Sequence, residues 1–226
     1  MTADPAGDLT AELTADTGAD RFPIVALVCS AGGLDALTRV LAPLSPDLPA
    51  AIIALQHLSP DAPSILADLI AARTALPVAS ARDGDRLTPG RVLVTPPGHH
   101  TLVTAQSTIA LIESGSIPPA RPSADLLLTT LALAAGPRAV AVVLTGGGSD
   151  AATGATAIHR FGGTVIAASP ASSTQPGMPQ ATIHRDTITD QVVDIDHVAG
   201  LVTALSLVTP TTEDLLRRVG NTATER

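Results

Sequence analysis

Short apolar runs alternate with helical stretches from Phe22 onward, and Gly and Pro residues separate them. The apolar runs predict strands at 24–28, 51–56, 91–94, 139–144, 164–168 and 191–195. The stretches between them predict helices at 33–41, 63–73, 123–135, 150–160 and 197–208. This alternation predicts an α/β fold, a three-layer doubly wound and mostly parallel sheet with helices on both faces.

Three segments depart from this alternation. Residues 102–103 and 108–112 flank Ala105-Gln106-Ser107, which predicts an antiparallel hairpin or an added edge. Residues 1–20 are rich in Ala, Thr, Asp and Gly, and we expect them to form a disordered tail. We therefore expect one domain over 21–208, followed by a C-terminal surface helix near 211–218 and a tail within 209–226.

The composition limits the kinds of partner. The 226 residues include two Phe and no Tyr or Trp, so the core must be aliphatic, as in strands buried on both faces. Single-stranded nucleic acids bind to aromatic side chains, which this chain almost lacks. A formal charge of −8 also disfavours binding to a phosphate backbone. We expect no nucleic-acid partner.

Membrane, disulfide and metal chemistry are disfavoured as well. The N-terminus lacks the pattern of a signal peptide, and Gly136-Pro137-Arg138 interrupts the most apolar window. We therefore expect a cytoplasmic protein without membrane insertion. The single cysteine, Cys29, excludes an internal disulfide and a cysteine-built zinc site. His99-His100 lacks an obvious third ligand, which favours a loop, and we expect no metal and no cofactor.

Polar residues with complementary chemistry follow three of the predicted strands. Ser30 ends the first apolar run, His57 follows the second, and Asp150 follows the run that ends at Leu144. The carboxyl ends of parallel strands share one edge of a sheet, where ligands bind. The sequence thus predicts that a hydroxyl, an imidazole and a carboxylate meet there, as a nucleophile, its base and the group that orients the base.

Each of these residues also has an ordinary interpretation on its own. Ser30 is placed to cap the helix near Gly33, His57 to be a partly exposed loop histidine, and Asp150 to stabilise the helix that follows it. The glycine-rich turns suggest phosphate binding, but their spacing fits no dinucleotide fingerprint, and the chain has no Lys for a P-loop. Cys29 is an alternative nucleophile, yet adjacent strand residues face opposite sides, so we expect it to be buried.

Ordered motifs over residues 22–205 resemble the catalytic domain of the chemotaxis protein-glutamate methylesterase family. The matching segments are Ser30-Ala31-Gly32-Gly33, Gln56-His57, Asp83-Gly84-Asp85-Arg86-Leu87-Thr88-Pro89-Gly90, Arg121-Pro122-Ser123-Ala124-Asp125, Leu144-Thr145-Gly146 and Gly177-Met178-Pro179. The resemblance implies that Ser30 is the nucleophile, His57 the general base and Asp150 the orienting carboxylate. It implies removal of methyl groups from glutamate methyl esters on receptor signalling proteins, and deamidation of glutamine in some relatives.

Further residues are candidates for secondary roles. Backbone N–H groups near Ala31 and Gly147 are candidate oxyanion donors. Arg121 is either a partner for an acidic substrate segment or an exposed charge before the helix start at Pro122-Ser123. The resemblance implies that Met178 lines the site, although a turn before a helix would explain its segment equally well. The partners implied are a methylated receptor or signalling protein and a separate receiver protein, because residues 1–20 are too few to form a receiver domain. We expect a site that no receiver domain in the same chain controls.

The chain departs from the family's pattern at four positions. Val28, Ala31 and Ala151 stand where the family has Gly, Thr and Gly, and Gly147 stands where it usually has Met. These departures leave two alternatives open: a catalytically weakened binding or scaffold module of the same fold, or an esterase for another substrate.

Overall fold

The computed structural model describes residues 22–60, 63–114 and 121–208. The tail predicted for 1–20 and the surface helix predicted near 211–218 lie outside these residues. Within them, seven strands form one sheet in the order β3-β4-β2-β1-β7-β8-β9, and every pair of neighbours is parallel. The strands of this sheet are β1 (Ile24–Cys29), β2 (Ala51–Gln56), β3 (Val78–Ser80), β4 (Val92–Val94), β7 (Ala139–Val143), β8 (Thr164–Ala168) and β9 (Gln191–Val193).

Helices cover both faces of this sheet, which confirms the predicted three-layer α/β architecture. One face packs against α1 (Gly33–Leu41), α2 (Leu66–Ala71) and α6 (Ile195–Leu207). The other packs against α3 (Ala124–Ala135), α4 (Ala152–Arg160) and α5 (Gly177–Ile183). None of the helices within the three described ranges combines the length and the apolar character that a membrane span requires.

The central strand β1 shows why an almost uninterrupted apolar run forms this fold. Ile24, Ala26 and Val28 point into the core under α3 and α4. The alternate residues Val25, Leu27 and Cys29 point into the core under α1 and α6. Both sides of the strand are buried, so successive side chains must all be apolar and mostly branched.

The predicted hairpin is confirmed, and it forms a separate two-stranded sheet. Strands β5 (His99–Val103) and β6 (Ile109–Glu113) pair antiparallel, and β5 packs against α3. The assignment of His99-His100 to a loop is wrong, since His99 pairs with Glu113 and His100 with Ile112. The hairpin is therefore longer than predicted. The antiparallel pairing extends from residues 102–103, which predicted the first strand, back to His99.

Several element bounds differ from those predicted. The edge strand β3 and the short helix α5 were not predicted, because three and seven residues, respectively, carry too little periodicity. Residues Gly136–Arg138 form a 3-10 turn between α3 and β7. Helix α4 begins at Ala152, two residues later than predicted, because the preceding residues form the loop that carries Asp150.

The strand order places the chain's change of direction at the centre of the sheet. From β1 the chain moves to β2 and onward to one edge, and it later returns to β7 on the other side of β1. Ligands of open α/β sheets bind at the carboxyl ends of strands where this reversal occurs. Ser30, His57 and the loop that ends in Asp150 follow the three central strands β1, β2 and β7.

Candidate active site

Ser30 lies at the carboxyl end of β1, held between the two neighbouring strands. Its backbone N–H donates to the carbonyl of Thr145 at 2.7 Å, beyond the end of β7. The carbonyl of Cys29 accepts the backbone N–H of His57 at 3.1 Å, beyond the end of β2. The sheet's hydrogen bonding therefore continues for one residue past the strands and sets the two backbone segments that carry Ser30 and His57 side by side.

The turn after Ser30 leads directly into α1. Gly32 precedes the helix in the left-handed conformation with φ of 79°, which glycine adopts without strain. The N-terminus of α1 has no side-chain cap, so the interpretation of Ser30 as a helix cap is wrong. Ser30 is half-buried, whereas Ala31 and Gly32 are exposed at the rim.

A second loop, residues 145–148 after β7, packs against the turn at residues 30–32. The Thr145 hydroxyl lies 3.0 Å from the carbonyl oxygen of Ala31 and accepts the N–H of Gln175 at 2.9 Å. A Cβ atom at Gly146 would lie 2.7 Å from the Ser30 Cβ and 2.3 Å from the Met178 Sδ. Only glycine fits there, because the backbone of residue 146 packs directly against the side chains of Ser30 and Met178.

His57 and Asp150 lie within hydrogen-bonding distance of each other. The His57 Nε2 and the Asp150 Oδ2 are 2.9 Å apart, and each side chain is 15% exposed. The carboxylate accepts a hydrogen bond from the N–H at Nε2. Nδ1 is then the ring nitrogen that can take up another proton. An imidazole with one nitrogen fixed in this way is oriented for use as a base.

The N-terminus of α3 holds the Asp150 carboxylate. Oδ2 accepts the backbone N–H of Ala124 at 2.7 Å, while Oδ1 accepts the N–H of Asp125 at 3.0 Å and the hydroxyl of Ser123 at 3.2 Å. Burial alone would raise the pKa of Asp150, but these hydrogen bonds and that of His57 outweigh it and lower the pKa. The interpretation that Asp150 stabilises the helix that follows it is wrong, since its carboxylate binds α3 and not α4.

Asp125, in the first turn of α3, binds the N-terminus of α4 in turn. Its Oδ1 accepts the backbone N–H of Ala151 at 3.1 Å and that of Gly154 at 2.7 Å. Burial raises the pKa of Asp125, and the nearby charge of Asp150 adds to the rise, against the hydrogen bonds that lower it. Each of the two carboxylates thus holds the N-terminus of the helix adjoining the other.

Two backbone N–H groups at the rim are available to a ligand. Among the residues that the structure describes, no acceptor takes the N–H of Ala31 or of Gly147. Both residues are exposed, and a Cβ at Gly147 would meet open space. The two N–H groups belong to the two loops that meet at Ser30, which is where an oxyanion hole requires its donors.

The remaining candidates lie at or below this site. Met178 is fully buried, and its N–H donates to the carbonyl of Gly146 at 2.8 Å, so it supports the loop from beneath. The carbonyl of Arg121 accepts the N–H of Leu58 at 3.0 Å, which places residue 121 next to the His57 segment. Cys29 is buried as expected and donates its S–H to the carbonyl of Leu55, and burial raises the pKa of its thiol.

The described ranges contain no cluster of three or more His, Cys, Asp or Glu side chains that is placed to hold a metal ion. His99 and His100 point their Nδ1 atoms at different partners, a carbonyl and a backbone N–H, respectively. The two adjacent rings therefore do not form a joint ligand pair.

Sequence reasoning missed the contribution of the α3 N-terminus and of His100. Residues 121–125 were recognised as a motif, but only as a helix start. The bonds from this segment to Asp150 span 25 to 27 residues, and that from Ser123 to His100 spans 23. No local spacing indicates such contacts.

Comparison with known proteins identifies relatives that match most of this chain. Protein-glutamate methylesterase/protein-glutamine glutaminase 3 of Myxococcus xanthus is 40% identical over 186 residues, or 82% of this chain and 51% of that protein. A protein of the same name from Geobacter sulfurreducens is 33% identical over 191 residues, or 83% of this chain and 51% of that protein. The chain spans about half the length of these curated relatives.

A solved structure also matches most of this chain. The crystal structure of the Thermotoga maritima CheB methylesterase catalytic domain superposes with a TM-score of 0.77 at 30% identity. The match covers 81% of this chain and 98% of that domain. Residues 25–202 also match the family described as CheB methylesterase. By sequence and by fold, the chain belongs to the CheB methylesterase family.

Proposed function

We propose that this chain is a serine hydrolase that removes methyl groups from glutamate methyl esters on receptor or signalling proteins. The observation that carries the proposal is the His57–Asp150 pair at 2.9 Å, on the loops that flank Ser30 at the centre of the sheet. Family membership supports this reaction, because the relatives are named for methylesterase and glutaminase activities.

In the proposed acylation step, the Ser30 Oγ attacks the carbonyl carbon of the ester. His57 accepts the serine proton on Nδ1, because Nε2 is bound to Asp150. The oxyanion of the tetrahedral intermediate accepts the N–H groups of Ala31 and Gly147. Methanol then leaves with the proton from His57, and the glutamyl group remains as an ester on Ser30.

The deacylation step repeats this chemistry with water. His57 takes a proton from water, the resulting hydroxide attacks the acyl carbon, and Ser30 leaves with the proton. The products are a glutamate carboxylate and the free serine. A glutamine side chain would follow the same route with ammonia as the leaving group, which is the deamidation named in the relatives.

The partner proposed is a methylated receptor or signalling protein, with a separate receiver protein as regulator. Arg121 supplies a positive charge near the site, since its charge lowers the pKa of His100, and we assign it to acidic residues that flank the ester. Met178 would act indirectly, through its packing beneath the 145–148 loop.

The first prediction tests the nucleophile. Ser30→Ala should lower turnover at least about 1000-fold and leave the fold intact, because the attacking atom is removed. The measurement is methanol release from a peptide containing glutamate γ-methyl ester. Ser149→Ala is the matched control, since Ser149 is exposed in the loop beside Asp150 and its side chain has no assigned role.

Labelling with a serine-directed phosphonate separates the alternatives. The proposal expects covalent modification of wild-type protein at Ser30 and none of Ser30→Ala. Methanol release by Ser30→Ala near the wild-type rate would exclude this nucleophile. A wild-type protein that binds the peptide but is neither labelled nor active would be the binding module instead.

A further inference from the structure

A second imidazole lies next to the catalytic pair. His100 is the second residue of β5, and its half-buried ring accepts the backbone N–H of Ser123 on Nδ1 at 2.9 Å. A ring nitrogen that accepts an N–H carries no proton itself, so His100 is neutral with its proton on Nε2. The neighbouring His99 has the other arrangement, because its Nδ1 donates to the carbonyl of Pro97 at 3.2 Å.

Ser123 connects this ring to the active site. It is the N-cap of α3, where its hydroxyl accepts the N–H of Leu126 at 3.3 Å and lies 3.2 Å from the Asp150 Oδ1. The next two backbone N–H groups, of Ala124 and Asp125, donate to the same carboxylate. A continuous series of hydrogen bonds therefore runs from His100 through the cap of α3 to Asp150 and on to His57.

The charges around His100 favour its neutral form. Burial lowers its pKa, the charge of Asp150 raises it, and that of Arg121 lowers it, with a net lowering. On the packed elements, Glu113 of β6 lies opposite His99 in the hairpin register, and Asp125 is in the first turn of α3. Asp125 is directed at α4 by its two hydrogen bonds to that helix.

We propose that His100 is a positioning residue that keeps the N-terminus of α3, and through it Asp150, in place for His57. The proposal rests on the proposed function and adds a condition to it. The site works only while both imidazoles are unprotonated: His57 to accept the serine proton, and His100 to accept the N–H of Ser123.

Protonation of His100 removes this support. A proton on Nδ1 would point at the N–H of Ser123, so two donors would face each other across 2.9 Å. The cap of α3 then has to move, and the carboxylate that it holds moves with it. Activity should therefore fall more steeply on the acid side than it does when residue 100 cannot take up a proton.

Two substitutions distinguish this role from simple packing. In His100→Asn, the side-chain amide oxygen takes the place of Nδ1 and cannot be protonated in this range. This variant should retain kcat within about threefold, and its acid limb of log kcat/KM against pH should be less steep by one unit than that of the wild type. His100→Leu has no acceptor and should lose about tenfold in kcat with a smaller change in KM, as expected for one lost hydrogen bond at a buried donor.

The control is His99→Asn, which should keep both the wild-type kcat and the wild-type slope. Methanol release from the glutamate methyl ester peptide is measured over the pH range in which far-UV circular dichroism shows the fold intact. Wild-type kcat and slope in His100→Leu would overturn the proposal. A His100→Asn variant as impaired as His100→Leu would also overturn it. Asparagine supplies an acceptor for the N–H of Ser123, so the proposal requires it to restore activity.

Imidazole ¹⁵N NMR spectra test the same point without turnover. At neutral pH, His100 should show an unprotonated Nδ1 and a protonated Nε2, and a protonated Nδ1 would refute the proposal. Because the spectra need no substrate, they separate a failure of this proposal from a failure of the proposed esterase activity, which phosphonate labelling of Ser30 reports independently.

Discussion

Ala151 is a strained residue next to Asp150. It is fully buried and adopts φ of 96° and ψ of −22°, in the left-handed region that favours glycine. A residue with a Cβ pays about 1–2 kcal/mol for this conformation. The strain is maintained by neighbouring contacts, among them the hydrogen bond from the Ala151 N–H to Asp125 at 3.1 Å.

Ala151→Gly should therefore raise the free energy of unfolding, by about 1 kcal/mol, since glycine adopts this conformation freely. Denaturant unfolding measures the change. The control is Ala204→Gly, an exposed position inside α6, where the same substitution should lower the free energy of unfolding by about 0.5–1 kcal/mol. Equal losses in both variants would show that the backbone at residue 151 is not strained.

Gly147 illustrates how a departure at one residue leaves the chemistry in place. A Cβ atom added at this position would find nothing within 4 Å. The backbone N–H, which we assign to the oxyanion, does not depend on the side chain.

At the scale of elements, α3 and α4 hold each other through their first turns. Asp150 precedes α4 and binds the N-terminus of α3, whereas Asp125 belongs to α3 and binds the N-terminus of α4. Both carboxylates lie at the positive ends of helix dipoles. Their pKa values nevertheless shift in opposite directions, because burial dominates at Asp125 and hydrogen bonding prevails at Asp150.

These opposite shifts make a prediction for stability in acid. The lowered pKa of Asp150 contributes stability above the unfolded pKa, and this is lost as the pH falls through the folded pKa. The raised pKa of Asp125 means that the folded state binds that proton more tightly, so stability is gained as the pH falls through its folded pKa. In Asp125→Asn the gain is absent, and the free energy of unfolding should drop more between about pH 7 and about pH 3 than in the wild type.

Asparagine is a suitable replacement at this position, because Oδ1 of Asp125 accepts the N–H groups of Ala151 and Gly154, and an amide oxygen can accept both. Urea unfolding at a series of pH values gives the comparison. The exposed Asp47→Asn serves as control and should retain the wild-type dependence. A drop in Asp125→Asn that is smaller than that of the wild type would contradict the assigned directions.

The predictability of each element follows from how local its cause is. Strands β1, β2, β7 and β8 were predicted within one residue, because burial on both faces demands an apolar run that is visible in the sequence. The placement of Ser30, His57 and Asp150 at the same edge of the sheet followed from the parallel order of their strands. The support of Asp150 by α3 and the role of His100 depend on how a helix and a hairpin dock, and no pattern in the sequence encodes that docking.

At the scale of the whole molecule, one sheet serves two cores. Leu37 of α1 and Leu131 of α3 are fully buried on opposite faces, and both rest on the strands that end at the active site. The alternating side chains of β1 belong to both cores. Loss of packing in either core should therefore destabilise the same strand ends.

The last prediction concerns this coupling. Leu37→Ala and Leu131→Ala should each lower the free energy of unfolding by about 3 kcal/mol, whereas Leu133→Ala, on the exposed face of α3, should change it little. Each variant should unfold in a single transition with an unchanged denaturant m-value, because neither face has a sheet of its own. Methanol release should be lost in that same transition in both core variants. A separate earlier transition of one face, with activity retained, would show two independent units and would remove the shared sheet as the reason why Ser30, His57 and Asp150 stay together.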